Sequence, residues 1–458
     1  MQFDLIIIGG GPGGYVAAIR AASIGKKVAL IEAADLGGTC LNRGCIPSKT
    51  MLKYAELIDG VKKASHWGIE INEMNLSLDK MIERKNSIVT QLKNGVQYLM
   101  DKNKIMIFKG TGTLSDDKSV EIEMEAGTQK IAAHQIIIAT GSRPVVPKIK
   151  GIDQIEYHTT DTIFDMQEIP KSIAVIGGGV IGVEMASVFA SLGSAVSIIE
   201  LNDRIISAED IDASIILEKA LRKKGIKIFK NTEVTAFEDF NHTKKISCME
   251  NGEEKTIEVD AVLLAIGRQP NLSVLGSSSI KLKKNHIEVD KYLETSKKGI
   301  FAIGDVIGGL QLAHVASAEG LTAVENLEGK KKEMDYSVIP RCIYTQPQIA
   351  SVGYTEETLK NKGLKYRVEK SEFSSNGKAI TLGATEGFAK LYVDPIYGEI
   401  LGAVMAGENV TEMISQISSY MTLEGTIDEL AEMIQPHPSL SETLMETANS
   451  LLGKGIHY

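Results

Sequence analysis

The pattern Gly-x-Gly-x-x-Gly occurs twice in this chain, at Gly9–Gly14 and at Gly177–Gly182, each time where a strand should pass into a helix. The first copy follows the apolar run Leu5-Ile6-Ile7-Ile8, which suits a buried parallel strand. An alanine-rich helix ending near Gly25 comes next, then a strand from Val28 to Ile31, and Glu32 lies eighteen residues after Gly14. Each position has a physical task. Gly9 makes the tight turn, Gly11 admits a pyrophosphate against the backbone, and Gly14 lets helix and strand pack closely, with Pro12 and Gly13 in the same loop. Glu32 can accept hydrogen bonds from ribose hydroxyls. The second copy repeats the plan with strand Ser172–Ile176, the loop Gly177, Gly179, Val180, Ile181 and Gly182, a helix to Leu192, strand Ala195–Ile199, and then Glu200. Two nucleotide-binding α/β folds are therefore expected in 458 residues, a length that suits about three domains. A carboxylate at Glu200 bonds a free 2′-hydroxyl and repels a 2′-phosphate, and only Arg204 follows it closely. The second site thus reads as one for NAD rather than NADP.

Just beyond the first unit stands Gly37-Gly38-Thr39-Cys40-Leu41-Asn42-Arg43-Gly44-Cys45-Ile46-Pro47-Ser48-Lys49. In a reducing cytosol, paired cysteines beside a cofactor are more often catalytic than structural. On a regular helix, positions five apart hold their Cα atoms roughly 8.6 Å from each other, whereas a disulfide wants about 4.4–6.8 Å. Cys40 is therefore expected at an irregular start of the helix, in a bridge strained enough to be easily reduced. Cys248 and Cys342 have no close sequence partner and read as buried or inert thiols.

Two more segments echo each other. Ile136-Ile-Ile-Ala-Thr140-Gly141-Ser142-Arg-Pro144 and Val262-Leu-Leu-Ala-Ile-Gly267-Arg-Gln-Pro270-Asn271 are both strands running into a glycine turn, and each is expected to close one nucleotide unit. Gly299-Ile-Phe-Ala-Ile-Gly304-Asp305 places an acid at the carboxyl end of a strand, where ligands bind in open α/β sheets, which makes Asp305 a candidate for flavin ribityl hydroxyls. A net charge of −9 argues against a nucleic-acid partner. A first strand starting at Phe3 leaves no room for a leader peptide, and no run of 18 apolar residues exists, so a cytoplasmic location without membrane association is expected.

Taken together, these motifs resemble the FAD-dependent pyridine nucleotide–disulfide oxidoreductases over the whole chain. The segment Cys40–Lys49 is most similar to the dihydrolipoamide-oxidising branch of that family. The resemblance implies an α/β chain with two Rossmann-like FAD/NAD(P)-binding domains and a C-terminal α+β interface (dimerisation) domain. Its expected plan is an FAD domain over 1–145, an NAD domain over 146–270, a segment 271–335 returning to the first, and a dimerisation domain over 336–458. It assigns FAD to the first glycine loop and NAD to the second, and adds Gly38, Thr39, Gly112, Thr140, Gly141, Ser142, Leu312, Ala313, His314, Val234 and Gly267 as cofactor contacts. It also implies that substrate attacks Cys40, that Cys45 faces the flavin, and that Lys49 pairs with Glu184. The lesser alternative for Glu184 is a mere first-turn helix acid favoured by the dipole. No resident metal is expected.

The tail Gln435-Pro436-His437-Pro438-Ser439-Leu440-Ser441-Glu442 matches the family's histidine–glutamate dyad. The chemistry asks for such a pair. Thiol–disulfide exchange needs a thiolate, so a base must take protons from the dithiol. A carboxylate on the other ring nitrogen fixes the tautomer and steadies imidazolium. The resemblance places His437 at the flavin of the other subunit, so a homodimer is required. One departure stands at Val404, where the family commonly carries histidine in Gly-x-His-x-x-Gly.

From Glu399 to Gly453 there are nine acidic residues and no Lys or Arg. This is either a solvated acidic face or a docking surface for the basic binding module of a lipoyl-bearing acyltransferase. The implied activity is oxidation of protein-bound dihydrolipoamide with NAD as acceptor, within a 2-oxo acid dehydrogenase or glycine cleavage complex. The competing readings are a glutathione reductase-like enzyme, which Glu200 disfavours, and a mainly structural subunit of such a complex, which the intact Cys40, Cys45, Lys49, His437 and Glu442 set disfavours.

Overall fold

The structure, a computed structural model, describes residues 2–115, 118–240 and 243–457. Three larger sheets organise it. In the first, Gln2–Ile8 runs parallel to Val28–Glu32 on one side and to the end of Gly127–Ile138 on the other, with Ile300–Ala302 beyond. Leu5, Ile6 and Ile7 are wholly buried, as a strand covered on both faces requires. The beginning of Gly127–Ile138 pairs antiparallel with Ser119–Met124, so this long strand serves two layers. The parallel strands share one direction. The glycine loop, Glu32, Thr140–Ser142 and Asp305 therefore all emerge at one edge, their carboxyl end.

The second sheet is parallel throughout. Ser172–Ile176 lies between Ala195–Ile199 and Ala261–Leu264. A three-stranded antiparallel sheet over 232–259 accompanies it. The two echoing segments do more than end their own units. Ser142–Pro144 pairs antiparallel with Arg268–Pro270, Asn271 N–H donates to Gly141 O at 2.9 Å, and Asn271 Nδ2 donates to Thr140 O at 2.9 Å. The chain's two crossings between units are thereby stitched together.

The third sheet is antiparallel and holds Arg341–Ile343, Gln348–Gly353, Ile400–Gly407, Phe388–Val393 and Arg367–Glu372 in that order. Helices Val410–Thr422 and Glu442–Leu451 pack against it. Val404 sits mid-sheet between Ser351 and Lys390, fully buried. One core spans all three regions. Met51, Leu52, Ala55 and Ile58 of helix Cys45–Lys63 meet Val183 and Ala186 of helix Val180–Leu192, and both join Ile343, Ile349 and Val404. Each large apolar side chain buried there stabilises by about 1.5–3 kcal/mol. Asp59 and Lys224, 2.8 Å apart, tie the far end of the cysteine-bearing helix to the second unit. Among the described residues, no helix is long and apolar enough to cross a membrane.

Candidate active site

Cys40 and Cys45 occupy two helices rather than one. Gly38–Arg43 is a short helix carrying Cys40, and Cys45–Lys63 opens on Cys45. Gly44 lies between them at φ −132° and ψ −106°, outside helical geometry. This differs from the irregular helix start expected above. The reason is spatial: a continuous helix holds positions five apart too far from each other. The corner at Gly44 is also cramped, since a Cβ there would meet Thr39 O at 3.1 Å. The turn brings the two thiols into hydrogen-bond contact.

The two sulfurs are not equivalent. Cys40 donates to Cys45, which, with burial, pushes the Cys40 thiol far above its usual range. Cys45 moves the other way, down to about 7, because it receives that hydrogen bond and because the Lys49 ammonium stands near; burial and Glu184 oppose the shift. Lys49 lies one turn after Cys45 on the same helix. Its Nζ donates to both carboxylate oxygens of Glu184, at 3.1 and 3.0 Å. Glu184 is 2% exposed and lies beyond the first turn of its helix, so Lys49, and not the helix dipole, accounts for an acid there.

The tail residues also meet. His437 Nδ1 is 2.9 Å from Glu442 Oε1, and Ser439 N–H donates to Glu442 Oε2 at 2.8 Å. Burial raises the Glu442 carboxyl, but these two hydrogen bonds outweigh it and leave the group below its ordinary range. The His437 side chain is 80% exposed. Among the described residues of one chain, no hydrogen bond joins it to either cysteine.

The glycine loops are near copies. Gly9 and Gly177 have φ of 107° and 105°, and a Cβ on either would strike a backbone carbonyl, Ala139 O at 2.2 Å or Ala265 O at 2.5 Å. Gly14 and Gly182 are just as constrained, with Gly9 O and Gly177 O at 1.8 and 2.0 Å. Gly11 and Gly179 are different. A Cβ on Gly11 would find only Gly38 Cα at 3.8 Å, and one on Gly179 nothing within 4 Å. Protein packing does not call for glycine at either place. A group laid against the backbone at the helix N-terminus does, as a pyrophosphate would be, so the loops fit dinucleotides. Gly13 serves packing instead, because its Cβ would lie 2.9 Å from Ala316 O of helix Ala313–Leu327.

Glu32 and Glu200 each brace their own loop. Glu32 Oε2 accepts from Gly10 N–H and Glu200 Oε2 from Gly178 N–H, both at 2.6 Å. Asp305 accepts from Ser142 Oγ, and Thr140 Oγ1 donates to Asn271 O at 2.9 Å, so these residues gather beside the first loop. Gly112 lies there too, its absent Cβ facing Ile8 and Ile31. Leu312 caps helix Ala313–Leu327, and the ring of exposed His314 is 3.0 Å from Pro340 O. Val234 is buried within strand Thr232–Phe240, and Gly267 stands in open space at φ 123° beside the second unit. Gly38 is pressed against Gly11, while Thr39 precedes Cys40 on the short helix. Val180 and Ile181 are exposed at the second loop.

Three functional neighbours had no sequence signal. Arg268 donates to Ser142 Oγ and Ser142 O at 2.8 Å each. Buried Glu319 accepts from Gly304 N–H at 2.6 Å. Tyr344 touches both members of the Lys49–Glu184 pair. Glu319 and Tyr344 belong to no spaced motif, and Arg268 stands in the Gly267–Asn271 turn without a role legible there; only the folded chain shows what each of them meets.

Residues 3–320 match the pyridine nucleotide-disulphide oxidoreductases, and residues 339–448 match the dimerisation domain of the same proteins. The chain belongs to this family. It is 40% identical to a dihydrolipoyl dehydrogenase of Bacillus subtilis (strain 168), over 100% of this chain and 99% of that one. It is 38% identical to the dihydrolipoyl dehydrogenase of Geobacillus stearothermophilus, over 100% and 98%. Among solved structures it resembles LpdA from Mycobacterium tuberculosis, with TM-score 0.91 and 26% identity over 98% of this chain and 99% of that one. It also resembles a Cu(II) complex of the HOCl-induced flavoprotein disulfide reductase RclA from Escherichia coli, with TM-score 0.89 and 29% identity over 98% and 100%.

Proposed function

We propose that this chain oxidises protein-bound dihydrolipoamide with NAD, as the shared dehydrogenase component of a 2-oxo acid dehydrogenase or glycine cleavage complex in the cytoplasm. The full-length dihydrolipoyl dehydrogenase relatives support that substrate, and the family's cofactors are FAD and NAD. The observation that carries the chemistry is the placement of Lys49, one turn after Cys45 and fixed on buried Glu184. A cation on that side favours a thiolate and so makes the better leaving group there. Cys45 is accordingly read as the sulfur that leaves and Cys40 as the sulfur attacked, as the family resemblance implies.

The steps balance on the chain's own groups. His437, supplied by the second subunit of a homodimer, takes a proton from one substrate thiol, and Glu442 steadies the imidazolium. The substrate thiolate bonds to Cys40 Sγ as the Cys40–Cys45 bond breaks, and Cys45 leaves as thiolate with Lys49 beside it. The second substrate thiol then displaces Cys40, its proton passing to the departing Cys40 sulfur; this closes the lipoamide disulfide and leaves a Cys40 thiol, a Cys45 thiolate and a protonated His437. When bound, FAD supplies the acceptor for that electron pair and NAD the final acceptor of hydride. Gly9–Gly14, Glu32, Thr140–Ser142 and Asp305 would hold FAD, and Gly177–Gly182 with Glu200 would hold NAD.

The acidic tail supports the partner. Glu399, Glu412, Glu424, Asp428, Glu429 and Glu432 are exposed, and apolar Tyr397 and Leu423 stand out among them, 78% and 80% exposed. Such a face steers a basic docking module, whose binding should weaken in moderate salt; salt-insensitive binding would remove this part of the reading.

Absorbance tests the core. Mild two-electron reduction should give a long-wavelength thiolate–flavin band that Cys45→Ser abolishes and Cys40→Ser retains. If both variants kept turnover with NAD and dihydrolipoamide, the mechanism would be wrong. Faster turnover with NADPH and glutathione disulfide would favour the glutathione reductase-like alternative.

A further inference from the structure

We propose that Tyr344, contributed by the dimerisation domain, is a positioning residue of the redox centre: its backbone N–H and its ring hold the Lys49–Glu184 pair in register with Cys45. The inference rests on the roles given above to Cys45 and Lys49. Tyr344 N–H donates to Glu184 Oε1 at 3.0 Å. That same oxygen accepts from Lys49 Nζ at 3.1 Å. Lys49 Nζ also lies 4.5 Å from the centre of the Tyr344 ring. The ammonium is thus held between a buried carboxylate and an aromatic face, an arrangement in which the ring's negative quadrupole attracts the cation. Three regions meet here: the cysteine-bearing helix, helix Val180–Leu192 and the third sheet.

Tyr344 is itself firmly placed. It follows strand Arg341–Ile343, whose Arg341 Nε donates to buried Glu209 Oε1 of the second unit at 3.0 Å. Ile343 lies in the shared core. The strand therefore grips the second unit at Glu209 and at Glu184, and the ring hangs from a fixed backbone. A lysine carries several free rotors, and its ammonium drifts unless its surroundings hold it. Glu184 alone supplies one side of that restraint and Tyr344 the other. The charged and titratable groups around this ring are Lys49, Cys342, Glu184, Glu412 and Cys45, and burial with its acidic neighbours raises the Tyr344 hydroxyl to about 12. The phenol stays neutral at working pH, so the ring face, not a phenolate, acts on Lys49.

The test measures Cys45 alkylation against pH in the flavin-loaded dimer carrying Cys40→Ser, with Cys45 followed at peptide level apart from Cys248 and Cys342. Tyr344→Leu should slow alkylation at pH 7 by roughly threefold to tenfold, the size expected when one cation–π contact is lost. Tyr344→Phe, which keeps the ring, should restore the parent profile. Fluorinated phenylalanines at the same position keep the shape while draining the ring face, so they should slow the reaction in step with fluorine count even if Tyr344→Leu folds badly. A profile unmoved by Tyr344→Leu and by fluorination, while Lys49→Met shifts it, would overturn the proposal and leave the redox reading intact. A profile unmoved by Lys49→Met as well would overturn both.

Discussion

The two glycine loops were built alike and are closed differently. Each has a first glycine near φ 105°, a helix starting directly after the motif's second glycine, and a glutamate hooked to the loop at 2.6 Å. The first loop is walled in. Gly38 presses on Gly11, helix Ala313–Leu327 packs on Gly13, and Gly320 of that helix would place a Cβ 2.6 Å from Gly13 O. The second loop is packed by Ile205 at Gly178 but is open at Gly179, where a Cβ would meet nothing within 4 Å, and Val180 and Ile181 are exposed beside it. An enclosed loop suits a group that stays through many turnovers. An open one suits a molecule that must leave after each. The difference lies in what the chain packs on the loop, not in the loop.

The largest expected effects come from glycines that pack on their own strand. Gly14→Ala and Gly182→Ala each force a Cβ within 2.0 Å of a carbonyl oxygen, so each should cost about 3 kcal/mol or more. Gly14→Ala should also yield a colourless protein, whereas Gly182→Ala should stay yellow and lose NAD reduction. Visible spectra and NAD assays on both would show it; equal loss of colour would erase the distinction between the loops.

A smaller contrast separates packing from ligand contact. Gly13→Ala should lower stability by about 1–3 kcal/mol through its clash with Ala316. Gly179→Ala should leave thermal unfolding almost unchanged and raise KM for NAD about tenfold, since only a ligand meets that Cβ. Melting curves and NAD titrations decide between them.

The cysteine segment exists only beside the first loop, and it titrates. A thiol lowered to about 7 is thiolate above that pH and thiol below it. The long-wavelength band of the two-electron-reduced protein should therefore fade as pH falls through about 7. Lys49→Met should move that midpoint up by about one unit. A midpoint unchanged by Lys49→Met would detach the ammonium from Cys45.

The smallest effect belongs to the second glutamate. Glu200 is buried, with Oε2 on Gly178 N–H and Oε1 on Asn202 N–H at 2.8 Å. Glu200→Gln keeps an oxygen for one of these donors but sets its amide N–H against the other, so stability should fall by about 1 kcal/mol or somewhat more. Discrimination for NAD over NADP should fall about tenfold as the negative charge goes. Steady-state assays with both nucleotides would measure it.

Much of this was legible from local order. Strand, three spaced glycines, helix, strand and acid follow one another within about thirty residues, and strand Ser172–Ile176 and helix Val180–Leu192 lie where the pattern puts them. The Cys40–Cys45 pair, its Lys49 and the His437–Glu442 dyad are likewise close in sequence, but it was the family resemblance, not spacing alone, that gave Lys49 and the dyad their roles. The break at Gly44 was less legible, because the spacing required an irregularity without saying where it would fall.

The amino-acid sequence by itself settled which residues can do redox chemistry and which backbone stretches can take a dinucleotide, since both depend on contacts a few residues apart. The tertiary structure decided which of them meet. Lys49 and Glu184 are brought together by helix packing, Ser142 and Asp305 by a shared sheet edge, and Tyr344 by a strand of the third region. The first and last of those meetings rest on one apolar core joining three separately coded units, and long-range burial of that kind leaves no periodic trace in any one of them.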